Sequence, residues 1–140
     1  VKKNGILNRE LSYLIASMGH GDILSIVDSG FPISEDVFCV DLSLIAGKPK
    51  IVEIIIPLLE ELEIEKVLIA EEIKMISPKY HQKLLSIFPK NVQIEYIPHE
   101  KFKDRVRESK GVVRTGEQTS YSSVILVGGV TYHGEKEEGL

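Results

Sequence analysis

A chain of 140 residues, 43% hydrophobic and 27% charged, is the size of one domain with a real core, which excludes a mainly disordered protein. Lys and Arg number 17 against 21 Asp and Glu, a formal charge of −4, so the concentrated basic face needed by a nucleic-acid partner is missing. A single cysteine, Cys39, excludes an intrachain disulfide and a paired-thiol zinc site, and the chain reads as cytoplasmic, with no signal peptide and no run long enough to cross a membrane.

Leu7, Leu11, Leu14, Ile15 and Met18 recur at helical spacing, with Asn8 as a plausible N-cap and Gly19 as a stop. Ile23 to Val27 is a short apolar run that reads as a buried strand, closed by the turn Ser29-Gly30-Phe31-Pro32. Val37 to Val40 reads as a further strand. Pro49 to Leu62 fits a helix kinked at Pro57, although the β-branched run Ile54-Ile55-Ile56 keeps a strand in competition. Lys66 to Ala70 predicts a strand, and Glu71 to Lys74 a charged loop or strand extension. Ser77-Pro78 opens a helix to about Phe88, as N-cap and first helical residue. Val92 to Ile97 is a strand, Pro98 to about Ser109 a polar amphipathic helix, and Val112 to Arg114 and Ser123 to Val127 are the last strands. The alternation predicts an α/β domain over 1–132: three layers, α/β/α, around a mixed, mostly parallel sheet, followed by a polar tail over 133–140.

Gly19-His20-Gly21-Asp22 stands out against this frame. Histidine titrates nearest neutrality and can both give and take a proton, and the flanking glycines leave the backbone free to present the ring at an edge. The strand that follows ends in Asp28, where ligand anchors sit in open α/β sheets, so an acid/base group and an anchor fall within one helix-turn-strand unit. His99, at the junction after Val92–Ile97, is a second candidate. Each has a plainer reading: His20 as a cation at a helix C-terminus, Asp28 as a turn former before Gly30, His99 as a helix-start or surface residue. His81 lies mid-helix and His133 in the tail. Tyr121 precedes the last strand, where packing is the commoner role. There is no Gly-x-x-x-x-Gly-Lys, no His-Glu-x-x-His and no nucleophile elbow, which disfavours nucleotide, metal and covalent serine chemistry. What remains is acid/base work on an uncharged small molecule.

Lys2 to Asn8, Met18 to Asp22 and Asp28 to Ile33 resemble the start of the D-ribose pyranase family, which includes the fucose mutarotases as relatives. The resemblance continues through Ala70 to Lys74, Pro98 to Glu100, Val113 to Glu117 and Tyr121, up to about Tyr132. Each piece is weakly specific; their order and spacing together are strongly so. The resemblance implies a cytoplasmic isomerase that interconverts β-D-ribopyranose and β-D-ribofuranose without cofactor or metal, supplying the ring form that ribokinase uses. It implies His20 as the acid/base residue, Asp28 and His99 as sugar-binding residues, and a decameric ring with the site between subunits. A Tyr-x-Asn segment that contacts sugar falls here on Tyr121-Ser122-Ser123, where serine replaces asparagine. Ser123 keeps a donor and an acceptor but reaches less far.

The chemistry so implied is ring opening and reclosure: the ring oxygen gains a proton, the anomeric hydroxyl loses one, and a different hydroxyl then attacks the aldehyde. A histidine near neutrality can move these protons, typically for a gain of about 10²–10⁴-fold. The rivals are an L-fucose-type mutarotase, a non-catalytic sugar-binding module, and a phosphohistidine carrier using His20.

Overall fold

In the computed structural model, residues 1–132 are described; the expected tail over 133–140, with His133, lies outside them. The elements are α1 (Arg9–Ser17), β1 (Ile23–Val27), β2 (Cys39–Asp41), α2 (Ile51–Leu59), β3 (Ile64–Ala70), α3 (Ile73–Ile76), α4 (Pro78–Ser86), β4 (Gln93–Ile97), α5 (His99–Val106), β5 (Gly111–Arg114) and β6 (Val124–Gly128). The six strands form one sheet in the order β2-β5-β1-β6-β3-β4. Strand β6 runs antiparallel to both neighbours, while the β1–β5, β2–β5 and β3–β4 pairs are parallel. The C-terminal ends of β1 to β5 and the start of β6 therefore share one edge of the sheet.

The two faces are covered unequally, in the three layers expected. Leu24, Ile26, Val67, Ile69, Val113, Val124 and Leu126 point to one side and pack with Leu11 and Leu14 of α1, Ile51, Ile55 and Leu58 of α2 and Leu84 of α4. Ile23, Leu68, Val112, Ile125 and Val127 point to the other and pack with Phe102 and Val106 of α5. This alternation is the period-2 pleat of a sheet buried on both faces, which is why each strand reads as a continuous apolar run. Buried Ser25 on the α5 side is satisfied by Ser109 Oγ at 2.6 Å.

Local expectations meet the tertiary structure with a few shifts. Asn8 caps α1: its side-chain oxygen accepts the Leu11 N–H at 2.8 Å. The 51–59 segment is a helix, since its buried residues Ile51, Val52, Ile54, Ile55 and Leu58 line one side while Glu53 and Ile56 face out. Strand β2 sits later than Val37–Val40 because it pairs in register with β5, Cys39 to Val112 and Asp41 to Arg114. The charged 71–74 segment turns into α3, drawn in by fully buried Ile73. Ser77 does stand at the start of α4, yet its hydroxyl donates to Ser120 O at 2.7 Å rather than capping the helix.

Candidate active site

A cavity of about 430 Å³, of ligand-binding size, opens at the shared C-terminal edge. One wall is Asp28 to Pro32, following β1; the other is Glu117 to Tyr121, between β5 and β6; His99, at the start of α5, completes it. The two loops are stitched together. Ser29 N–H donates to Glu117 O at 3.0 Å, and Gln118 donates to Ser29 Oγ at 2.5 Å. Arg114 holds the outside of this junction, donating to Asp41 at 3.0 Å, Ser43 Oγ at 2.9 Å and Ser29 O at 3.1 Å. Arg114 together with the Ser43 hydroxyl keeps the Asp41 carboxyl below its usual range, the Ser43 bond being the larger cause.

Asp28 is fixed on both carboxylate oxygens. Oδ1 accepts the Gly30 N–H at 3.0 Å and Oδ2 accepts the Ser123 hydroxyl at 2.9 Å. The turn that was the plainer reading of Asp28 is therefore present, and the same side chain also lines the cavity. His99 is held by an aromatic frame: Tyr121 meets it edge-on at 5.0 Å, Phe102 is near-parallel at 6.4 Å, and Phe31 is edge-on at 6.1 Å. Its backbone N–H, a free donor of a helix N-terminus, goes to Glu72 at 3.1 Å. Its Nδ1 is buried with no hydrogen-bond partner among the described residues. A polar atom left so costs free energy unless a ligand or water satisfies it.

Tyr121 has φ +56°, the only non-glycine residue in the left-handed region among those described. For a bulky residue that conformation costs about 1–2 kcal/mol. The strain turns the phenol ring against His99 at the cavity wall. Ser122 and Ser123, by contrast, are buried and do not line the cavity. The Ser122 hydroxyl donates to Thr119 O at 2.6 Å, and its carbonyl accepts from Tyr80 at 2.8 Å. Burial, and then the charges of Glu117 and Asp28, push the Tyr80 phenol far up, so it remains a donor.

Sequence reasoning missed Glu117 as a site residue. It is 3% exposed yet forms part of the cavity wall. Its Oε1 accepts the Ile51 N–H at the start of α2 at 3.1 Å, and its Oε2 accepts the Thr119 hydroxyl at 2.8 Å. The signal available was an acid inside Arg114-Thr115-Gly116-Glu117, but only the fold brings it to a helix 66 residues away. The cavity thus carries two carboxylates, an imidazole and a phenol, with no Lys or Arg in its lining among the described residues. Such a surface fits a neutral, hydroxyl-rich ligand and repels a phosphate. No group of three or more His, Cys, Asp or Glu positioned for a metal ion occurs among the described residues, and no helix there is long and apolar enough to cross a membrane.

His20 is elsewhere. It precedes β1, whereas Asp28 follows it, and five extended residues set the two about 16 Å apart. Gly21 N–H donates to Gly128 O at 2.9 Å, which pins the hinge to the far end of β6. The His20 ring is exposed, with Nε2 at 2.8 Å from Glu65 Oε1 near the start of β3. Acid/base group and anchor do share one helix-turn-strand unit, but a strand carries its two ends to opposite edges of a sheet, so the unit does not bring them to one site. One chain holds Asp28, His99 and Tyr121 together but not His20.

Residues 1–131 match the model of the RbsD / FucU transport protein family. The chain is 99% identical over 140 residues, all of both proteins, to a D-ribose pyranase of Pseudothermotoga lettingae. It superposes on a solved structure of Bacillus subtilis RbsD complexed with D-ribose with a TM-score of 0.89 and 40% identity, covering 94% of this chain and 100% of that one. A fucose mutarotase of Streptococcus pneumoniae solved with L-fucose has the same fold, with a TM-score of 0.74 at 20% identity over 90% of this chain and 95% of that one.

Proposed function

The chain belongs to the RbsD / FucU transport protein family, and from that premise we propose that it is a D-ribose pyranase, an isomerase that interconverts β-D-ribopyranose and β-D-ribofuranose. The observation that carries this reading is the cavity at the C-terminal edge: two carboxylates, an imidazole and a phenol without a cation, in a fold 40% identical to a protein solved with D-ribose. The part of the lining that this chain supplies holds no Lys or Arg for a phosphate, which supports free ribose rather than its phosphate esters as the substrate.

The site works by positioning and proton transfer. Asp28 accepts sugar hydroxyls through the lone pairs that Gly30 and Ser123 leave open. His99 and Tyr121 supply further polar contacts, and the Tyr121 ring gives an apolar face for the sugar's C–H groups. Opening breaks the bond between the anomeric carbon and the ring oxygen. The ring oxygen takes a proton from an acid, the anomeric hydroxyl gives one up, and an aldehyde forms. Reclosure by the neighbouring hydroxyl reverses the transfers on the five-membered ring. Atoms and electrons balance with protons alone, so the reaction requires neither metal nor cofactor.

The acid is His20 of a second copy. Its exposed ring, beside Glu65, is free to enter a cavity on a neighbouring molecule. Leu44 and Ile45 after β2, and Met75 and Ile76 on α3, are apolar and exposed beyond the C-terminal ends of their strands, which supports contact with a neighbour there. The assembly is the family's decameric ring, in the cytoplasm. The test is saturation-transfer NMR with ribose and L-fucose side by side. Accelerated pyranose–furanose exchange of ribose is expected; acceleration of fucose anomers alone, or binding without exchange, refutes the reading.

A further inference from the structure

Resemblance makes Ser123 a sugar ligand; the geometry points to a different role, and we propose that Ser123 is a positioning residue that clamps the Asp28 carboxylate and acts on the sugar only through it. This rests on the reading of Asp28 as a sugar-binding residue. A serine hydroxyl has one proton and two lone pairs. The proton goes to Asp28 Oδ2 at 2.9 Å, and one lone pair takes the Asp28 backbone N–H, also at 2.9 Å. The side chain has no donor left for a sugar hydroxyl. It is also 4% exposed and stands outside the cavity lining, at the start of β6 behind Asp28.

Both contacts fall on a single residue, 95 positions away in sequence. Holding the N–H and the carboxylate of one aspartate with one hydroxyl selects a single side-chain rotamer. The Gly30 N–H on Oδ1 fixes the rotation of the carboxylate plane. Removing the hydroxyl returns the aspartate to its staggered alternatives, of which one faces the ligand correctly. It also leaves the Asp28 N–H at the strand end without its partner. Proton transfer is not touched, because Ser123 meets no reacting atom. The expected signature is a change in ribose KM with kcat preserved.

The experiment is a double-mutant cycle on the full chain, following ribose binding by ligand-observed NMR and exchange by saturation transfer, with melting curves for every variant. Ser123→Ala is expected to raise KM roughly three- to tenfold with kcat within about twofold. Ser123→Thr, which keeps the hydroxyl, is expected to restore KM. In an Asp28→Ala background, Ser123→Ala is expected to weaken ribose no further, since its only route to the sugar is gone. An unchanged KM in Ser123→Ala overturns the clamp. So does an equal loss of affinity in both backgrounds, which would mean a direct contact or a general weakening of the site. If Asp28→Ala itself binds ribose as tightly as the parent, the site reading fails, and the clamp's functional role fails with it; that result is distinct from the additive one.

Discussion

Mixing two inactive variants tests whether the site is shared between copies. His20→Ala removes the acid and leaves the Asp28–His99–Tyr121 cavity intact; Asp28→Ala does the reverse. Within one chain the two positions lie at opposite ends of β1, about 16 Å apart, so neither substitution disturbs the fold around the other. Each variant alone should form inactive assemblies. After unfolding and refolding an equal mixture, a site is competent when the cavity comes from a His20→Ala chain and the acid from an Asp28→Ala chain. Each choice has a chance of one half, so about one quarter of the parent exchange rate should return, whether the interface is head-to-tail or two-fold symmetric. Saturation-transfer NMR at fixed total protein reads this directly, and varying the mixing ratio should give a maximum at equality. A mixture as inactive as its components, with co-assembly shown by tagged pull-down, would refute the shared site.

Two further outcomes follow from the geometry. Gly116→Ala should cost about 1–3 kcal/mol in chemical denaturation, because a Cβ there would lie 2.6 Å from Ile45 O and closer still to Lys48 O, both rigid backbone; a neutral result would show that the 45–48 loop yields easily. His81 is held below its ordinary 6.5 by burial first and by Lys74 second, and its Nε2 sits 2.5 Å from the Tyr96 hydroxyl. The unfolded imidazole therefore takes up its proton at a higher pH than the folded one. Its contribution to stability is present above pH 6.5 and is lost as pH falls from there through the lower native value. Melting temperatures measured from about pH 7 down to about pH 5 should fall more steeply for the parent than for His81→Gln; parallel slopes would assign the acid sensitivity to other groups.

Much of this molecule is local and was legible as such. Asn8 before an amphipathic run, Pro78 at a first helical position, and strands written as unbroken apolar runs each depend on a few neighbouring residues. Asp28 and His99 stood out because strand ends and loop junctions are where side chains meet ligands, Tyr121 was implied only by the family resemblance, and the structure brings those three to one cavity. The short helix α3 was not legible, since Glu71, Glu72 and Lys74 make the segment read as charged, while in the fold burial of Ile73 outweighs that charge.

Composition and spacing determined the class of the protein, an α/β domain with strand-end polar residues; the resemblance to one family came separately, from motifs such as Met18 to Asp22 and Asp28 to Ile33. Strand order decided the rest. Because β6 runs antiparallel to β1, Ser123 at its start arrives beside Asp28, 95 residues away; because β2 and β5 run parallel side by side, Glu117 after β5 reaches the start of α2 after β2, 66 residues away. Because β1 is a strand, His20 and Asp28, eight residues apart in the chain, end on opposite edges. Nearness in sequence is a matter of covalent bonds; nearness in a site is a matter of which edge of the sheet each segment reaches, and that depends on long-range pairing no local pattern encodes.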